Sequence, residues 1–558
     1  MRFSHRQIRR ILALTLPLAL VATACGGKKD GDDPSESSGP VRGGSVTYAL
    51  EAETGDGWCL PEGQLAISGI MVARTIYDTL TAPNADGEYV PYLAESVEPN
   101  DDYTEWTITL RDGVTFHDGS PLTAEVVKNN LDAYRGKVGP KADNVPYPGR
   151  SPLLFTFVLQ DIDNVQATGD LEVTVTTTRP WVAFPAFLHS SGRMGIVAQA
   201  QLDDAENCDT NLIGTGPFQL DSWEKDRELI ATKFADYWQD APDGEPYPYL
   251  DEIRFTPIIE SEQRVNALES GNIDLLHVSA AQDINTIEGL IDDGAAKARQ
   301  SEDFAEITFV QMNVSKAPFD DVRFRQAMAL AFDRDDYTEV INEGLFTMGS
   351  GPFATGSIGY LEHSGFPTEQ DLDESRRLLA EYEAEKGEIP PVTLPSTPDA
   401  ASQELAIFVQ QELEALGLET RLTTVQQDTE IDTAIAGDFQ INTWRNYPGG
   451  DPDELYVWFD SESPANFGRI RDPEIDRLFD EGRLQPDPDE RADIYKDVNR
   501  QLTEGMWLIP LSWVTWRLAA QPTVHGYTPG SQPTTPEGNG WAPGLAVGHP
   551  LYGLWVSS

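Results

Sequence analysis

Catalysis needs nucleophiles, acids, bases or metal ligands held close together, and this sequence offers few such sets. Its seven histidines are scattered at 5, 117, 189, 277, 363, 525 and 549. His117 beside Asp118 reads as a turn residue, and a metal-ligand role for it lacks partners at useful spacing. No Gly-x-Ser-x-Gly elbow, His-Glu-x-x-His helix, P-loop or Cys-x-x-Cys pair occurs. Asp451-Pro452-Asp453 and Asp487-Pro488-Asp489 could be metal-binding fragments, but neither continues with calcium-loop spacing, so both read as acidic turns. With 92 Asp and Glu in the chain, neighbouring carboxylates arise by chance, which gives a secreted hydrolase of the paired-acid kind little support. Binding asks for less: a concave apolar site with a few placed polar groups. Trp444-Arg445-Asn446-Tyr447, broken off by Pro448-Gly449-Gly450, has the right residue types for a ligand wall. Trp and Tyr give contact area at low entropic cost, and Arg445 can make a charge-assisted contact. The same four residues also read as the packed end of a strand, while Trp458 and Phe459 lie on a more continuous apolar run and read as core.

The elements that must carry these residues form a mixed α/β order. Ser45 to Leu50 reads as a first strand and Ile67 to Leu80 as a helix with one apolar face. Trp106, Ile108 and Leu110 alternate as in a half-buried strand, and Thr123 to Tyr134 is a helix with Val127, Leu131 and Tyr134 on one stripe. Leu154 to Leu159 and Leu171 to Thr176 read as strands. Gly214-Thr215-Gly216-Pro217 suggests a stiff crossing. Leu250 to Ile259 reads as a strand and Ser261 to Glu269 as a helix. The second half is more helical, with apolar stripes after Asp320 or Asp321, over Leu372 to Tyr382, over Leu405 to Leu416, and after Pro473. Trp507 to Leu518 reads as sheet. No tandem repeat and no regular βα period appear, which argues against a TIM barrel and a simple dinucleotide fold.

Length and charge bound the rest. The chain has 558 residues and a formal net charge of -52, with 40% apolar residues. That supports real cores divided over two or three domains, and it makes nucleic acid an excluded partner, because so negative a field repels phosphates. Arg2, Arg6, Arg9 and Arg10, then the apolar run Ile11 to Ala22, have the layout of a secretory signal over residues 1–24. The run is too short to span a bilayer. Ala22-Thr23-Ala24-Cys25-Gly26-Gly27 resembles a bacterial lipobox, which implies a lipid on Cys25 and a place on the outer face of the cell membrane. Plain secretion after cleavage near Ala24 is the alternative. Residues 25–43, rich in Gly, Ser, Asp and Pro, read as a lipidated flexible tether. In an oxidising exterior the remaining pair, Cys59 and Cys208, is expected to form a disulfide.

Several longer segments carry a family resemblance. They are Tyr92-Leu93-Ala94-Glu95-Ser96, then Trp106 through Gly119 (Trp-Thr-Ile-Thr-Leu-Arg-Asp-Gly-Val-Thr-Phe-His-Asp-Gly) and Leu122 to Val127. Gly214 to Phe218 with Tyr237-Trp238, Ala267 to Asp274, and Pro318 to Ala327 support them. From about residue 44 to 540 the chain resembles the extracytoplasmic solute-binding proteins of ABC transporters, family 5, the peptide, dipeptide and nickel-binding group. The resemblance implies an α/β fold of the periplasmic-binding-protein-like two-lobed clamshell kind (type II, cluster C) with an extra domain. Lobe I would comprise 44–80, 212–300 and 520–558, the extra domain 81–211, and lobe II 301–519. It also implies a monomer without cofactor or catalysis that binds oligopeptides between its lobes and delivers them to a membrane permease.

In peptide-binding relatives an Asp in a Trp-x-x-Asp segment anchors the free amine of the ligand. Here Asn446 falls on that position, with the spacing one residue shorter, and Asn carries no charge to pair with an ammonium. Asp451 could shift in, because Gly449 and Gly450 permit tight turns. Otherwise the solute lacks a free amine, as an oligosaccharide or a modified peptide does. The expected ligand-binding set is Trp444, Arg445, Asn446, Tyr447 and Asp451.

Overall fold

Apolar residues on both faces of Ser45–Leu50 make it a central strand rather than an edge. In the computed structural model, which describes residues 39–557 apart from 55–56, 64, 138–153, 302–305, 399, 447–449, 529, 543 and 546–549, Val46, Tyr48 and Leu50 enter one core and Ala49 the opposite one. Burial on both faces is what a parallel-paired strand requires. Ser45–Leu50 pairs in parallel with Glu252–Pro257 on one side and Leu275–Val278 on the other. These belong to a seven-stranded sheet in the order Lys297–Ser301, Trp516–Ala520, Leu275–Val278, Ser45–Leu50, Glu252–Pro257, Glu228–Lys233 and Phe218–Glu224. The signal segment, Cys25, the tether up to residue 38, and Tyr447 lie outside the described residues.

A separate four-stranded antiparallel sheet runs Ala94–Pro99, Glu105–Leu110, Glu172–Thr177, Ile162–Ala167. The helix Ala124–Tyr134 buries Val127, Leu131 and Tyr134 in the same core, and the Thr123 side chain caps it by accepting from the Val126 N–H. The run expected as a strand from Leu154 is instead the short helix Leu154–Val158. Phe155, Val158 and Leu159 are buried while Thr156 and Phe157 are only partly so, a spacing of three and four that fits a helix and not a strand. Short apolar runs are where the two periods are hardest to separate.

The other expected elements between 300 and 520 surround a three-stranded antiparallel sheet, Ile441–Asn446, Ile307–Met312, Leu508–Trp513, and a parallel pair, Val392–Ser396 with Thr420–Thr424. Asp321 caps Val322–Ala331 through the Arg323 N–H, and Pro473 and Pro488 each open a helix just after a capping Asp. Trp507 to Leu518 is not one stretch of sheet. Leu508–Trp513 belongs to the three-stranded sheet and Trp516–Ala520 to the seven-stranded one. Between them the Val514 N–H donates to the Glu306 carbonyl at 2.9 Å, which ties this link to the residue just before Ile307–Met312.

Two local features fix the first part of the molecule. A Cβ on Gly214 would stand 2.0 Å from the Ile76 carbonyl oxygen, and one on Gly216 2.6 Å from it, so only glycine permits this crossing to lie against the helix Ile67–Ile76. Cys59 and Cys208, both buried, form a disulfide across 149 residues of sequence.

Candidate functional site

The site is built where the two sheet systems meet. Glu306 leads into Ile307–Met312, Trp516 opens Trp516–Ala520, and Trp444 and Arg445 stand near the end of Ile441–Asn446 opposite Phe309 and Thr308. Residues from all three, with Arg193, Glu454, Trp458 and Phe467, line a cavity of about 420 Å³. Ile431, Trp444 and Arg445 also line a second cavity of about 720 Å³, whose other walls include Ser279, Asn342, Thr397 and Glu430. Trp444 and Arg445 are therefore walls common to an aromatic chamber and a more polar one.

Ring packing stiffens the aromatic chamber. Phe467 meets Trp444 edge-on with centroids 5.8 Å apart and Trp458 edge-on at 5.4 Å, both within the favourable range for such pairs. The Arg445 guanidinium lies over the Trp516 ring at 5.4 Å, donates to the Ser279 hydroxyl at 3.2 Å and stands 3.8 Å from the Glu306 carboxylate. One arginine thus bridges the three-stranded sheet to the seven-stranded one while keeping a side chain 42% exposed.

Charge of both signs faces this space: Glu51, Glu306 and Glu454 against Arg193 and Arg445. Burial pushes the Glu306 carboxyl above its ordinary range, with Arg445 acting in the opposite sense. Burial pushes Glu454 well above that range, the negative charge of Asp451 pushes the same way, and Arg193 opposes them. Among the described residues lining the two cavities there is no His and no Cys. The arrangement offers charge pairing and ring contact.

Of the expected set, Trp444 and Arg445 line the cavity and lie near the end of a strand. Asn446 ends that strand. Its side chain and all of Tyr447 are outside the described residues. Asp451 is committed elsewhere. It caps the turn Pro452–Leu455 through the Asp453 N–H at 2.9 Å, and its two oxygens take the Arg491 guanidinium at 2.6 and 2.8 Å. Asp487 likewise caps a helix, so both Asp-Pro-Asp segments are acidic turns. Trp458, expected as core, is only partly buried and lines the cavity, whereas Phe459 is core. His117 uses both ring nitrogens on the glycine crossing, Nε2 with the Gly216 carbonyl at 2.9 Å and Nδ1 with the Gly214 N–H at 3.2 Å, and burial lowers its pKa to about 4.

Glu306, Glu454, Arg193, Phe467 and Trp516 were not anticipated. Glu454 follows an acidic turn after a glycine break, but among 92 acids that mark is too common to single it out.

A charged, aromatic-walled cavity between two sheet systems is suited to holding a solute. The chain belongs to the bacterial extracellular solute-binding proteins, family 5, whose middle-region profile matches residues 88–467. It is 26% identical over 451 residues to the glutathione-binding protein GsiB of Pectobacterium atrosepticum, covering 78% of this chain and 83% of the relative. Among solved structures it is similar to the periplasmic binding protein AgaA from A. tumefaciens R10 in complex with agropinic acid, with a TM-score of 0.77, 25% identity, and coverage of 92% of this chain and 99% of that one. The fold is also that of the ABC transporter-associated periplasmic binding protein DppA from Helicobacter pylori in complex with the peptide STSA, with a TM-score of 0.78, 21% identity, and coverage of 93% and 99%.

Proposed function

We propose that this protein is the extracellular solute-binding component of an ABC importer, which encloses an oligopeptide between two lobes and hands it unaltered to a permease. The observation that carries the reading is the cavity of about 420 Å³, where two arginines and three carboxylates face aromatic rings. A short peptide has the matching chemistry: charged ends, a polar backbone and variable side chains. The lobes are read as 44–80, 212–300 and 520–558 for the first, with 81–211 as its extra domain, and 301–519 for the second. Closure over the solute is then favoured by contacts made to both lobes at once, a population shift driven by differential affinity. The body acts as a monomer tethered by a lipid on Cys25 to the outer face of the membrane.

Mass spectrometry of small molecules released from the purified protein by denaturation tests the reading directly. A peptide among them supports it. Recovery of a non-peptide solute alone, with no peptide from a defined panel binding in calorimetry, overturns the peptide assignment in favour of a non-peptide solute, a second reading supported by the likeness to AgaA, whose structure is in complex with agropinic acid.

A further inference from the structure

Glu454 stands apart from the acids around it. Asp451 is bound by Arg491, and Asp453 by Arg483, by Trp181 Nε1 at 2.8 Å and by the Tyr495 hydroxyl at 3.3 Å. Glu454, between them and the cavity, has its Oε1 buried with no hydrogen-bond partner among the described residues, and it lines the aromatic chamber. A desolvated carboxylate without a donor is costly, and an arriving cation removes that cost. Resting on the peptide reading above, we propose that the Glu454 carboxylate is the seat for a positively charged nitrogen of the solute, with Trp444, Trp458 and Phe467 as the walls of the same chamber. The charge that the Trp444 segment lacks at Asn446 is thereby supplied from the turn Pro452–Leu455. Indole faces add to cation binding where water is excluded.

A proton balance follows. The groups that face Glu454 are Asp451 and Asp453 from its own turn, Tyr89 from the strand Tyr89–Pro91, and Arg193. Burial and the two aspartates favour the protonated carboxyl in the empty cavity, against Arg193. An ammonium favours the carboxylate, so at any pH where the empty site holds its proton, that proton leaves to solvent as the solute binds. Affinity therefore rises with pH and levels off above the raised value of the empty site.

The test uses the full mature protein with glutathione, trialanine and dileucine, each free and N-acetylated, in isothermal calorimetry. Acetylation is expected to weaken binding about 10- to 100-fold, the range for a charge-assisted contact. Glu454→Gln should lose a similar factor for the free amine and cease to distinguish the two forms. Repeating the wild-type titration at stepped pH down to about 5, in buffers of different ionisation enthalpy, should reveal a released proton for the free amine at the acid end and none for the acetylated form. That measurement stands even if the variant does not fold. A folded Glu454→Gln that still discriminates against the acetylated form overturns the inference and leaves the peptide reading intact. Wild-type protein that is indifferent to acetylation and releases no proton does the same. If none of the peptides binds, the peptide reading falls, and this inference with it.

Discussion

Replacing Arg483 by Met removes a buried cation while keeping most of its volume, and the structure sets the size of the loss. Its side chain is 2% exposed and contacts Asp453, itself 0% exposed, through Nε at 2.8 Å. Nη1 pairs with Asp161, and the guanidinium lies over the rings of Tyr456 at 4.1 Å and Trp181 at 4.8 Å. Without the arginine, Asp161 keeps Arg179 at 3.0 Å, but Asp453 is left with Trp181 and Tyr495, both neutral donors. Stranding a buried carboxylate in this way costs about 3–5 kcal/mol. The exposed pair Arg477–Glu474, with both side chains 48% exposed, provides the contrast, since Arg477→Met should cost at most about 1 kcal/mol. Urea unfolding followed by circular dichroism measures both, and an unchanged m value licenses the comparison. Asp453→Asn in the Arg483→Met background should recover part of the loss by removing the stranded charge. A loss below about 1 kcal/mol for Arg483→Met, equal to that of Arg477→Met, would refute the claim that burial sets the value of this pair.

Two further outcomes follow from buried groups. Intact mass of unreduced protein should show two hydrogens missing, and replacing Cys59 and Cys208 by Ser together should lower unfolding stability by about 2–4 kcal/mol, because the bridge closes a loop of 149 residues. Asp78 accepts from Trp238, Thr215 and Tyr237, yet burial dominates and raises its pKa to about 6. A carboxyl raised on folding adds stability below its ordinary value that is lost as pH climbs through the raised one, here by up to about 3 kcal/mol between pH 4 and 6. Asp78→Asn should flatten that part of the stability–pH curve.

Elements with a long, clear period were legible in the sequence. The helix Ser261–Glu269 falls on its expected span, and Asp321 and Pro473 mark helix starts because capping and proline geometry act within a few residues. The failures have two causes. Leu154–Val158 is too short for its period to decide between helix and strand, and the division of Trp507 to Leu518 between two sheets is set by partners hundreds of residues away. The cavity lining was only half readable. Trp444 and Arg445 are an unusual pair before a breaker, while Glu306 and Glu454 acquire their character only from desolvation, which the chain creates by folding. Asp451 looked available because its partner Arg491 lies 40 residues on.

The turn from Asp451 to Glu454 shows why a short segment can couple binding to the integrity of the whole molecule. Asp451 caps the turn from extended backbone, while Asp453 and Glu454 lie within it about a third of a revolution apart, so the three acids can serve three different surroundings. Asp451 faces Arg491, Asp453 faces Arg483 and Trp181, and Glu454 faces the cavity. Two buried ion pairs fix the backbone on either side of Pro452, which leaves the cavity-facing carboxylate little freedom to withdraw. Its desolvation is thus maintained by contacts that the solute never touches. Weakening Arg483 should accordingly soften discrimination at Glu454 as well as stability, because a turn free to rotate would let water reach the carboxylate and remove its need for a cation.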